Sequence, residues 1–277
     1  MGECETRTQG ARIAIDMGAT EDAGSRRTAR PDGTVVRRGR GSQDGRVALV
    51  TGAASGIGKA IAERLAGEWD VHAVDLADGD LATRQGNRAV VDAALERFGS
   101  IDAVVANAGF QHVAPVEEFP EETWDALIAV LLTSPFLLAK YAWPALRESG
   151  EGRFVAIASA HSLTASPFKA GYVSAKHGVL GLVKTLALEG AAHGITASAV
   201  CPAYVRTPLV DQQIADQARA LGVTEERVLE DVILERQAIK RLIEPEEVAE
   251  VVGFLLGPGG RSFTGAPIVM DLGWTAA

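Results

Sequence analysis

The chain has 277 residues, 47% of them hydrophobic, enough to bury one large core or one domain with a tail. A net charge of −9 and an aromatic content of 5% exclude a phosphate-tracking or base-stacking surface for nucleic acid. Cys4 lies in a polar stretch and Cys201 in an apolar one, so neither a disulfide framework nor a metal site is expected. No signal-peptide pattern opens the chain and no apolar run reads as long enough to span a bilayer, so the expected setting is the reducing cytoplasm, away from membranes.

Residues 1–45 are expected to be a disordered extension. Through Arg46 the chain carries nine arginines against seven acids, many glycines and no sustained apolar period. Residues 46–277 read as the folded domain. Val47 to Val50 is a short apolar strand, Thr51-Gly52-Ala53-Ala54-Ser55-Gly56-Ile57-Gly58 a glycine-rich turn, and Lys59 to Ala66 a helix. Strand, glycine turn and helix in that order make a dinucleotide-binding context. Gly52 and Gly56 let the backbone approach a pyrophosphate, Gly58 allows helix and sheet to pack closely, and the helix N-terminus offers unpaired N–H groups. Val71 to Val74 is a second strand ending at Asp75, where an acid accepts hydrogen bonds from ribose hydroxyls and repels a 2′-phosphate.

Arg88 to Phe98 is an amphipathic helix, followed by the strand Ile101 to Val105 and the turn Ala106-Asn107-Ala108-Gly109. Another apolar helix runs through Trp124 to Leu132. Phe154 to Ala158 is a strand, with Ser159 at its end and Pro167 in the loop beyond. The helix Tyr172 to Ala192 is apolar almost all round, which reads as burial on both sides. Ile195 to Cys201 is the next strand, Leu209 to Leu242 a polar, amphipathic stretch, Pro245 to Leu256 a helix and Phe263 to Asp271 the last strand. Strands alternating with helices predict a doubly wound parallel sheet of the Rossmann type.

Tyr172 and Lys176 are four apart and share one helix face. A phenol with a reference pKa of about 10 is a poor base at neutral pH. A fixed positive charge beside it stabilises the phenolate, and a hydroxyl such as that of Ser159 holds the substrate oxygen that exchanges the proton. A Tyr-x-x-x-Lys pair alone occurs by chance on many helices. Together with Ser159 and the upstream Thr-Gly-x-x-x-Gly-x-Gly loop, it resembles the short-chain dehydrogenase/reductase family.

The resemblance covers about residues 46 to 277. It implies Ser159, Tyr172 and Lys176 as the catalytic set. It implies a nicotinamide dinucleotide held by Gly52, Ser55, Gly56, Ile57, Gly58, Asp75, Asp80, Asn107, Tyr172, Lys176, Pro202, Val205 and Thr207, and Asp75 makes NAD the expected cofactor. Phe110 to Phe119, Ala158 to His161 and Ala165 to Lys169 are similar to the D-3-hydroxybutyrate dehydrogenase branch. In that branch Gln111, Ser159, His161, Lys169, Gln213 and Trp274 would bind a small hydroxy acid or keto acid through its carboxylate, with Trp274 reaching across a subunit boundary. The implied assembly is a homo-oligomer, a homotetramer in the first instance.

The chain also departs from the family. Asp80-Leu81-Ala82-Thr83 is similar to the element that ends the family's third strand, yet only Leu76 to Gly79 separate it from Asp75. Four residues cannot make a crossover. Six strands and an open adenine side are therefore expected. Leu131 stands where the family has a catalytic Asn, Ala106 and Ala203 replace an Asn and a Gly, Ser162 stands where the branch has Gly, and Leu272 replaces another Gly. Alternative readings are a reductase for another small carbonyl compound and an NAD-binding oligomer with impaired catalysis.

Overall fold

The computed structural model describes residues 45–276. The expected N-terminal extension lies outside the described residues but for Gly45. Six strands form one all-parallel sheet: β1 (Val47–Thr51), β2 (Asp70–Val74), β3 (Ala103–Ala106), β4 (Arg153–Ile157), β5 (Thr196–Pro202) and β6 (Pro267–Met270), in the order β2-β1-β3-β4-β5-β6. β1, β3 and β4 are buried along their whole length, the pattern of parallel strands covered on both faces. Helices α1 (Gly56–Leu65) and α8 (Pro245–Leu256) cover one face through Ile61, Leu65, Val248 and Val252. Helices α2 (Arg84–Phe98), α4 (Ser134–Ser149) and α5 (Ala170–Gly190) cover the other through Val91, Leu138 and Val183. The remaining helices are α3 (Glu121–Ile128), α6 (Pro208–Leu221) and α7 (Glu225–Val228). Strand order reverses between β1 and β3, and the crevice beyond their carboxyl ends is where such folds bind ligands.

The missing strand leaves β2 on the edge of the sheet, paired to β1 alone. Asp75 to Thr83 crosses the gap as two turns, closed by Asp78 N–H to Asp75 O at 2.9 Å and Thr83 N–H to Asp80 O at 3.0 Å. Asn87 ties this segment down. Fully buried, it donates to the carbonyls of Leu81 (2.8 Å) and Thr83 (2.7 Å) and accepts from the Ser134 hydroxyl at 2.7 Å. Thr83 caps α2 by accepting from Gly86 N–H.

The expectation that no run is apolar enough to cross a membrane is corrected. Glu121–Ser149, which joins α3 and α4 through a π-helical turn (Ala129–Thr133), has the length and a mean hydropathy of 1.6. Its apolar character comes from packing: Leu127, Leu131, Leu138 and Leu146 are buried in the core. Only 44% of its most apolar stretch is buried, and Phe136 is 43% exposed in a single chain. The same holds for α5, which buries Val179, Leu180 and Val183 but exposes Leu188 to 81%.

Asn87→Ala is expected to destabilise the protein by about 1–3 kcal/mol, because it removes the buried partners of the Leu81 carbonyl and the Ser134 hydroxyl. Urea unfolding checks this; a loss below about 0.5 kcal/mol would show that Asn87 does not fasten the 75–83 segment.

Candidate active site

A cavity of about 590 Å³ opens at the β1/β3 crevice and brings together Gly52, Asp75, Asn107, Ser159, Tyr172 and Trp274. One half is a cradle of backbone. Gly52 (φ 67°) and Gly56 (φ 52°) adopt left-handed conformations that L side chains rarely enter. A Cβ on Gly52 would stand 2.8 Å from Ala108 Cα, and one on Gly58 would land on the Gly52 carbonyl. Asn107 holds the turn from the neighbouring strand, donating to Thr51 O at 2.9 Å and Gly52 O at 3.2 Å. Ser55 precedes α1 without capping it through its side chain, which leaves the first N–H groups of the helix free for anionic oxygen. That uncapped helix end, in a cradle that a Cβ would fill, fits a pyrophosphate.

The Asp75 carboxylate accepts from Ala54 N–H and Leu76 N–H, both at 2.8 Å, and Asp78 accepts from Asp75 N–H at 2.8 Å. Asp80 and Leu81 line the same cavity, so the short 75–83 segment returns to the crevice that the missing strand would have reached. Ile57, Pro202, Val205 and Thr207 also line it.

The other half carries the titratable groups. Lys176 is buried, donates to Ile157 O at 2.7 Å and lies 5.6 Å above the Tyr172 ring. Burial lowers its pKa to about 8. The expectation that Lys176 lowers the Tyr172 pKa is not met in this state. Burial pushes the phenol above its ordinary value, against the pull of the Ser159 hydroxyl. The physical reason is the burial of the phenol itself. Leu131 is buried beside Leu127 and Ala175, and the π-helical turn forms at this position without the family's Asn. Cys201 is buried, with a thiol pushed up to about 11, and is a core residue as expected.

Ser159 accepts from His161 N–H at 3.1 Å. His161 is buried, shares a hydrogen bond with Ser166 at 2.9 Å, and is held near a pKa of about 4 by burial and by Lys169, so it is neutral at pH 7. Lys169 is 6% exposed and its pKa is lowered to about 8 by burial. No carboxylate among the described residues pairs with it. Phe168, which precedes it, is strained at φ 66° while its carbonyl accepts from Ala114 N–H at 2.9 Å. Gln111 and Gln213 line the cavity, and Gln111 Nε2 has no hydrogen-bond partner.

The residues expected at the site therefore line one cavity, except Gly58, which packs behind the Gly52 carbonyl. Trp274 is 8% exposed and lines the cavity of its own chain, edge-on to His161. The sequence reading also missed a residue. Tyr204 stacks on Trp274 at 5.7 Å and accepts a hydrogen bond from Lys169 Nζ at 3.1 Å. Its place inside the Pro202 to Thr207 loop was the available signal.

Comparison with known proteins gives concordant findings. A family model described as "Enoyl-(Acyl carrier protein) reductase" matches residues 65–275. A D-beta-hydroxybutyrate dehydrogenase of Rhizobium meliloti (strain 1021) is 50% identical over 181 residues, covering 65% of this chain and 70% of that protein. One from Cupriavidus necator is 38% identical over 255 residues, covering 84% of this chain and 99% of that protein. The solved ligand-free aldohexose dehydrogenase of Thermoplasma acidophilum superposes with a TM-score of 0.76 at 29% identity, covering 86% of this chain and 97% of that one.

Gly58→Ala is expected to weaken dinucleotide binding by about a hundredfold or more, because the added Cβ displaces the Gly52 carbonyl from the cradle. Calorimetric titration checks this; unchanged affinity in a folded variant would remove the cradle from the binding account.

Proposed function

The chain belongs to the short-chain dehydrogenase/reductase family and is an oxidoreductase of the 3-hydroxybutyrate dehydrogenase type; on that premise we propose that it interconverts a small 3-hydroxy acid, D-3-hydroxybutyrate in the first instance, and its 3-keto acid, with NAD as the cofactor. The carrying observation is the buried Lys169, which no carboxylate among the described residues pairs with, in the cavity that holds Ser159 and Tyr172. A substrate carboxylate supplies the missing charge, and a charge-assisted hydrogen bond orients it. His161 is neutral, so Lys169 is the positive end of the substrate half. Asp75 and Asp78 at the end of β2 support NAD over NADP, because a 2′-phosphate there would meet two carboxylates.

In the oxidation, Ser159 donates a hydrogen bond to the substrate oxygen and Tyr172 takes its proton. The hydrogen on the carbinol carbon leaves with its electron pair. The bound nicotinamide supplies the acceptor for that hydride. Lys176 neutralises the phenolate once its ammonium is freed from Ile157 O. Gln111 and Gln213 add amide donors beside Lys169.

The competing reading is an oligomer that binds NAD without turnover. It drew on Leu131, Ala106, Ala203 and the missing strand. The persistence of the π-helical turn and of the 75–83 segment at the cavity supports the enzyme instead. The exposed Phe136 on the Glu121–Ser149 rod and the exposed Leu188 on α5 support a homo-oligomer, and a homotetramer in the cytoplasm is part of the proposal.

The Lys169 pKa fixes the sign of the pH dependence. A free-site value of about 8 rises when a carboxylate binds, so binding is full below about pH 8 and weakens above it. The KM for D-3-hydroxybutyrate is expected to rise about tenfold per pH unit above about 8, and Lys169→Met to raise KM by about a hundredfold while removing that rise. A KM that stays flat to pH 10 in the wild type would contradict the assignment. Leu131→Asn is expected to change kcat by no more than about fivefold, since the backbone turn is already in place; initial rates decide, and a gain of about a hundredfold would show that the amide itself is needed.

A further inference from the structure

We propose that Tyr204 is a further substrate-binding residue, whose hydroxyl donates a second hydrogen bond to the carboxylate that Lys169 attracts. The inference rests on the carboxylate reading above and extends it to a residue that no motif assigned.

Tyr204 is held from three sides. Its carbonyl accepts from Ile243 N–H at 3.0 Å, and the preceding Ala203 N–H donates to Met270 O at 2.9 Å. Its ring stacks on Trp274 with an interplanar angle of 4° and a centroid separation of 5.7 Å. Trp274 is in turn braced edge-on by His161 at 5.1 Å. The phenol therefore has little freedom, and a donor that is already positioned loses little entropy on binding.

The hydrogen-bond inventory of the phenol points to a ligand. Lys169 Nζ, also 5.2 Å from the ring centroid, donates to the Tyr204 oxygen at 3.1 Å. That contact uses a lone pair and leaves the hydroxyl proton free, with no acceptor for it among the described residues. Burial pushes the phenol up to about 12, so it stays protonated wherever Lys169 is charged. A carboxylate entering the cavity has two oxygens. One meets the Lys169 ammonium and the other the Tyr204 hydroxyl, while the unpartnered Nε2 of Gln111 lines the same space. An ester or thioester carries no charge for Lys169 and offers the phenol only a weaker acceptor. Tyr204 thus favours free short-chain acids over esterified or carrier-bound ones, and the Tyr204–Trp274 stack walls the cavity behind the carboxylate.

The test is Tyr204→Phe in the full chain, which keeps the stack and removes only the hydroxyl. Two readouts are used: the dissociation constant of butyrate, an unreactive carboxylate, by calorimetry, and steady-state kinetics with D-3-hydroxybutyrate and with its methyl ester. The expected result is about a tenfold rise in the butyrate dissociation constant and in the KM for the acid, with kcat within about twofold and the ester unaffected. Unchanged butyrate affinity, or equal effects on acid and ester, would overturn the role of Tyr204. If Tyr204→Phe fails to fold, Tyr204→Leu is measured against Tyr204→Gln, which restores a donor; equal butyrate affinity in those two would overturn it as well. Wild-type protein that binds butyrate tenfold better than the variant but oxidises no hydroxy acid would defeat the proposed reaction and leave Tyr204 as a carboxylate ligand.

Discussion

A buried ammonium, Lys169, with no carboxylate paired to it among the described residues is the constraint on which the substrate half of this cavity depends. Holding Lys169 with its pKa lowered from 10.5 to about 8 corresponds to roughly 3 kcal/mol against the charged form. The fold tolerates this with a strained Phe168, a neutral His161 and a phenol that takes one of the three ammonium donors. A structural lysine would be cheaper at the surface, where most lysines lie. The arrangement is understandable when an anionic ligand restores the charge balance, and the position of the reacting hydroxyl then follows from the distance between that anion and Ser159 and Tyr172.

The cofactor half obeys a different constraint, that of backbone approach. Gly52, Gly56 and Gly58 sit where any side chain would collide or strain the turn, and Asn107 locks the turn from the next strand. The segment that stands in place of the missing strand still lines this half through Asp80 and Leu81. Asn87 ties that segment down with three hydrogen bonds, two of them buried. The cost is an exposed edge at β2, with no partner beyond β1.

Much of this was legible in the sequence, because motif spacing encodes local geometry. The glycine turn, Asn107, Ser159 and the Tyr172–Lys176 helix face follow from residues near one another in the chain or at strand ends, and the four-residue gap after Asp75 dictated six strands. Contacts between distant segments were harder to read. Tyr204 meets Lys169 across 35 residues, and only the folded loop reveals the pairing. Trp274 meets His161 through a short terminal turn anchored by Asp271 accepting from Thr275 N–H at 2.7 Å, a contact across 113 residues that spacing does not encode. The direction of the Tyr172 pKa depends on how much water the fold removes, which spacing does not encode. The membrane-length apolarity of Glu121–Ser149 came from joining two helices through a π-helical turn, a continuity hidden by Pro135 and Pro144 in the sequence.

The central claim is that Ser159, Tyr172 and Lys176 oxidise a short 3-hydroxy acid held by Lys169, with electrons passing to NAD. The most direct test follows the absorbance of reduced nicotinamide when purified protein is mixed with NAD and D-3-hydroxybutyrate, beside a Tyr172→Phe control. The account predicts reduction that reaches an equilibrium with acetoacetate in the wild type and none in the control. Binding of NAD without reduction by any short 3-hydroxy acid, or undiminished turnover by Tyr172→Phe, would contradict it.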